Sequence, residues 1–247
     1  MKTGKRLVLT SVSIVFLALL IVFSAVAYLG FLKAGRKTQI IGSGVEKGGA
    51  ISFDGSVSGS LTVSVHKNDG LSLSETPDFF SPVFRLGSGA ERSFTNFDGS
   101  LLPEGLDNVN GKHSGDDYVA YTFYCRNDGA LPAGYVYEMN ISDMTQGIEK
   151  AIRVRLFVNG EESTYAYPRT DGGEGPEPGT LPFYTGDAVL RKAGGELSPG
   201  GYDRFTVVIW LEGNDPDCVD RVIGGRFAVD MTFSLAAPAD GAPESAA

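Results

Sequence analysis

Two hundred and forty-seven residues, 42% of them apolar, suffice for one large β domain or two small ones and exclude disorder as a description of the whole chain. Glycine, at 33 residues without a collagen-like period, favours many turns. The formal charge of -9 is unevenly spread: Met1–Lys37 holds six basic residues and no acid, so 15 of the 21 basic residues face all 30 acidic ones from Thr38 onward, a net of -15. That balance argues against a nucleic-acid partner, whose phosphates are met by Lys and Arg.

The chain opens with Lys2, Lys5 and Arg6, followed by a run from Leu7 to Leu32 that carries no charge. As a helix, 26 residues would extend about 39 Å, more than the roughly 30 Å of bilayer hydrocarbon. Residues 1–37 are therefore expected to be a single-pass signal anchor; Ala25-Val26-Ala27 offers cleavage as a secretory signal peptide as the alternative. Either form places the rest of the chain on the extracellular face of the membrane or in the medium. Residues 38–50, rich in glycine, are expected to form a linker.

A β domain is expected over residues 51–235. Leu61, Val63 and Val65 alternate with polar residues; Val83–Leu86 is a short apolar run; Tyr118–Arg126 is apolar on both faces. Tyr135, Tyr137, Met139 and Ile141 alternate again, and Ile152–Val158 ends in Asn159-Gly160, a strong hairpin signal with Thr164–Tyr167 returning. Arg204–Glu212 and Arg226–Leu235 supply two more strands, the latter with Phe227, Val229, Met231, Phe233 and Leu235 on one face. Two short helices are expected between strands, one capped by Ser142 and running to Lys150, the other capped by Asp215 with Pro216 at its first position and Gly224-Gly225 at its end. Residues 170–179 read as a polar loop and 236–247 as a disordered Ala/Pro tail. Many short strands with glycine-rich turns imply an all-β sandwich or barrel.

Motifs that would carry chemistry are sparse. Two histidines, His66 and His113, stand far apart with no HExxH pattern, and no G-x-S-x-G, P-loop or Rossmann fingerprint occurs. Cys125 and Cys218 form no CxxC pair; both are expected to be free thiols, one in a strand and one near a helix start, with an exported chain leaving a disulfide open as the alternative. Asp215, Asp217 and Asp220 surround Cys218 with charge that opposes thiolate formation. The acidic loops Asp107–Asp117 and Asp215–Asp220 contain oxygen ligands suited to calcium but lack the spacing of a calcium loop and read as solvated turns. LPFYTG at 181–186 has one residue too many for a sortase signal and lies inside the domain. No catalytic residue, metal ligand or cofactor site follows from these patterns.

Three segments taken together, YVAYTFYCRNDG (118–129), AIRVRLFVNGE (151–161) and FTVVIWLEGNDPDCVDRVIGGRFAVDMTFSL (205–235), behind an apolar export segment, resemble the exported TasA and camelysin-like proteins of Gram-positive bacteria. Phe123, Asn127 and Gly129 match a strand reading F-x-x-x-N-x-G, and Gly224-Gly225 precedes the last strand as in that group. The resemblance implies a jelly-roll-like β-sandwich with a structural role at the cell surface, in the best-known members a subunit of biofilm matrix fibres built by strand exchange. The longer export segment, flanked by Lys33, Arg36 and Lys37, departs from that pattern, and no metal-ligand pattern supports the metalloprotease label given to camelysins.

Self-association is expected through edge strands, with Ile51–Val65, almost uncharged, as the candidate pairing strand if it lies at an edge. The alternative is an adhesin or carbohydrate-binding module, for which Tyr165, Tyr167, Phe183, Tyr184 and Trp210 are the candidate contact aromatics, with Trp210 placed more readily in the core or at its edge. For a surface hydrolase the sequence offers no constellation.

Overall fold

Period-two alternation of apolar residues commits most of the chain to strands with one face turned inward. The computed structural model describes residues 56–66, 70–79, 87–170, 173 and 176–236, all within one unit. The expected anchor at 7–32, the linker at 38–50, the start of the domain at 51–55, the run Val83–Leu86 and tail residues 237–247 lie outside the described residues.

The strands are, in order, β1 (Val57–Val65), β2 (Leu71–Ser74), β3 (Ser88–Phe94), β4 (Asn96–Phe97), β5 (Gly111–Lys112), β6 (Tyr118–Asn127), β7 (Ala133–Met144), β8 (Ile152–Val158), β9 (Glu161–Ala166), β10 (Leu181–Pro182), β11 (Ala188–Leu197), β12 (Tyr202–Glu212) and β13 (Arg226–Leu235). They form two sheets. The first has the order β11-β7-β13-β1-β3; the second runs β10-β9-β8-β12-β6-β2, with β5 beside β6 and β4 beside β12. The fold is an all-β sandwich.

Its interior is the interdigitation of the two inward faces. Phe123 and Phe205 from the second sheet stack at 5.6 Å, and Phe205 meets Phe233 of the first edge-on at 4.9 Å; Tyr135 and Tyr137 complete the aromatic cluster. Phe227, Val229, Met231 and Phe233 are all buried, as the alternation in β13 requires, whereas Leu235 at the strand end is 37% exposed. A smaller cluster of Leu106, Ala120, Val208 and Trp210 packs separately, on the outer face of the second sheet. There Trp210 donates to Glu212 Oε2 at 3.0 Å, and Glu212 also accepts the Gly99 amide, which holds the 98–108 excursion over the indole.

The two expected short helices are not formed. Ser142 lies inside β7, which stays paired with β13 as far as Met144, and Gln146 and Gly147 then adopt φ of 63° and 71°. Two consecutive left-handed residues cannot belong to a right-handed helix, so only a three-residue 3₁₀ turn, Ile148–Lys150, follows. Asp215 does cap a turn, its Oδ1 accepting the Asp217 amide at 2.7 Å, but Val219 is extended and the helix shrinks to the 3₁₀ turn Asp220–Val222. The Asn159-Gly160 turn forms as expected: φ of 52° and 88° is the pairing that a type I′ hairpin requires.

Candidate functional site

The residues singled out in the sequence do not converge. Cys125, on β6, and Cys218 are both free and fully buried. Burial pushes both thiols up, reinforced at Cys125 by Asp203 and Asp128; Cys218 reaches about 12, with Asp215 and Glu212 adding to the effect. His113 donates through Nδ1 to the Gly111 carbonyl at 2.8 Å, and the His66 amide donates to Phe233 O.

Four carboxylates of the acidic loops engage protein donors. Asp116 pairs with Arg92, Asp117 accepts from Thr95, and Asp217 accepts from Thr170. Asp215, 2% exposed, binds Arg153 at 2.6 Å, a buried pair that ties the turn after β12 to β8. Among the described residues, no group of three His, Cys, Asp or Glu side chains is placed to hold a metal ion.

Nor do the five aromatics form one exposed face. Tyr165, Phe183 and Trp210 are buried, Tyr167 packs edge-on against Phe183, and Tyr184 alone of the five is exposed. Trp210 faces away from the other four because its side chain belongs to the outer cluster.

Two features of the geometry do stand out. The first is the position of β1, the first described strand. It is no edge: it lies between β13, to which it runs parallel, and β3, to which it is antiparallel, with eight residues in register on one side and seven on the other. Val57, Leu61 and Val63 are buried, and at Gly59 the Phe94 ring comes so close that a Cβ would lie 2.6 Å from it. The glycine that weakens strand propensity is thus the one that seats the ring. Of the four strands that end the two sheet orders, β2 is short but uncharged and the other three are blunted. β11 carries Arg191, Lys192 and two irregularities in register, β3 carries Glu91 and Arg92, and β10 is two residues long and contains Pro182.

The second feature is a cleft of about 340 Å³ on the open side of the sandwich, between β11 and the β8–β9 hairpin. Tyr135, Tyr137 and Leu156 line it from within, and Ser163, Glu161 and Lys192 are among its polar residues. Asp203 is fixed there by two donors, Tyr135 Oη at 2.5 Å and Asn159 Nδ2 at 2.7 Å. Burial raises both tyrosines, Tyr137 to about 12 with Tyr165 and Asp203 contributing. Gly194 is obligatory, since a Cβ there would sit 2.1 Å from the Tyr135 ring, whereas Gly195 faces open space.

No family model matches this chain. No curated protein matches it either.

The F-x-x-x-N-x-G residues have a local explanation in the fold. Phe123 is the stacked ring of the core. Asn127, 1% exposed, donates through Nδ2 to Leu131 O and Leu197 O and accepts the Gly129 amide on Oδ1, so one side chain joins the β6–β7 turn to the end of β11. Sequence reading missed the cleft, because Tyr135 and Asp203 sit in alternating strands where core and site residues look alike. It also missed β3 and β11, whose glycine and charge content hides the strand pattern. The Gly194-Gly195 pair was the one available signal.

Proposed function

We propose that this chain is a non-enzymatic, exported structural protein of the TasA and camelysin-like kind, a jelly-roll-like sandwich held at the cell surface by residues 7–32 and able to assemble with its own copies. The observation that carries the reading is the place of β1. A strand near the start of the domain, following a glycine-rich stretch, fills an interior slot of a sheet rather than an edge. A slot of that kind accepts the same strand from another copy with the same hydrogen bonds and the same buried Val57, Leu61 and Val63. The blunting of β11, β3 and β10 favours this route over edge-to-edge pairing, and it replaces edge pairing as the mode of self-association.

The net charge of -15 from Thr38 onward opposes close approach of copies at low salt. Electron microscopy and light scattering of the full chain in mild detergent at micromolar concentration should show elongated assemblies that grow with added salt or mild acid. A synthetic peptide of residues 51–65 should cap them. A chain that stays monomeric under all these conditions, or assemblies indifferent to the peptide, would remove the reading.

A further inference from the structure

We propose that the cleft between β11 and the β8–β9 hairpin binds one or two pyranose units of an uncharged glycan. The inference does not depend on assembly through β1, which uses other strands.

The cleft, at about 340 Å³, falls at the lower end of the roughly 300–1,000 Å³ typical of small-molecule sites, which limits the occupant to a ligand the size of one or two sugar rings. A pyranose presents an apolar C–H face and a rim of hydroxyls, each both donor and acceptor. The walls match both properties. Val158, with the exposed margins of Tyr137 and Leu156, supplies apolar surface, while the Ser163 hydroxyl, the Glu161 carboxylate and the Lys192 ammonium supply hydrogen-bonding groups.

The charge pattern selects against an acidic sugar. Lys192 and Glu161 are of opposite sign, and the Asp203 carboxylate is already engaged by Tyr135 and Asn159. The surrounding exported part, at -15, repels polyanions.

The lip is built to stay open. Gly194 packs flat on Tyr135, and beside it Gly195 leaves the mouth clear, with nothing within 4 Å of where a Cβ would stand. Gly195→Trp therefore closes the entrance without disturbing the packed side.

The test is saturation-transfer difference NMR on the full chain in detergent micelles, with di- and trisaccharides of N-acetylglucosamine and of galactose as neutral probes and trigalacturonate as the acidic one. Saturable transfer to at least one neutral probe is expected. It should weaken by about tenfold or more in Gly195→Trp, as for the loss of one good contact, while the melting temperature stays that of the parent chain. Lys192→Ala, a second variant at the rim, should weaken it too. No transfer to either neutral series, transfer unaffected by Gly195→Trp and Lys192→Ala, or preference for trigalacturonate would each overturn the proposal.

Discussion

Asn127 is the residue with most riding on a single side chain, since it satisfies two carbonyls and one amide of separate turns in a position closed to water. Asn127→Ala should destabilise the domain by roughly 2–4 kcal/mol, because three backbone groups lose their partner and water cannot replace it. Urea unfolding checks this; a loss under about 1 kcal/mol would mean that the turns find other partners. Titration adds a second expectation at this scale. Burial raises the thiols of Cys125 and Cys218 above their ordinary value of 9, and the phenols of Tyr121, Tyr135 and Tyr137 above 10. Groups raised in the folded state stay protonated after the unfolded chain has lost those protons, so their contribution is intact below pH 9 and declines as pH rises from there towards about 12. The urea midpoint should accordingly hold level up to about pH 8 and fall steadily above about 9. A midpoint still level at about pH 11 would show that these groups titrate as if exposed.

At the scale of elements, the β8–β9 hairpin shows how a two-residue turn sets register. Asn159 and Gly160 both take positive φ, and Asn159 spends its side chain outside the turn, accepting the Arg204 amide on Oδ1 while Nδ2 holds Asp203. The turn thereby docks the hairpin onto β12 and shapes one wall of the cleft. A β-branched residue at position 160 cannot adopt φ near 88° without strain. Gly160→Val should cost about 1–3 kcal/mol. It should also disturb the cleft more than the distant Trp210 cluster, which amide hydrogen exchange along β8, β9 and β12 can resolve. Uniform loss of protection across both clusters would instead mean that the hairpin and the rest of the sandwich unfold as one unit. The failure of the helix expected after Ser142 belongs to this scale as well: a capping residue was present, but the pairing of β7 with β13 out to Met144 outweighed a cap whose worth is about 1 kcal/mol.

For the whole molecule, the two sheets stand on one aromatic cluster in which Phe233 touches Phe123, Phe205, Tyr135 and Tyr137. Phe233→Asp would bury a carboxylate among rings with no cation beside it, a loss expected to exceed about 4 kcal/mol and to leave the domain unfolded. Circular dichroism should show the β signal and its cooperative melt both gone. A variant that melts like the parent would place Phe233 outside the true core.

The strands over Tyr118–Arg126, Tyr135–Ile141, Arg204–Glu212 and Arg226–Leu235 were legible in the chain itself, the first as a run apolar on both faces and the others by alternation, because such patterns are written residue by residue and need no partner to be read. The hairpin at Asn159-Gly160 was legible for a similar reason, as local dihedral preference alone selects it. Which strands become neighbours is another matter. The parallel seating of β1 against β13 joins positions about 170 residues apart through long-range packing, which no local pattern encodes. The same packing seated the candidate pairing strand inside a sheet, sent Trp210 to the outer face, and gathered Tyr137, Lys192 and Asp203 around one cleft from β7, β11 and β12. The strongly patterned strands were a property of the sequence; the fate of the two capped segments, the slot and the cleft were decided only when two sheets closed on each other.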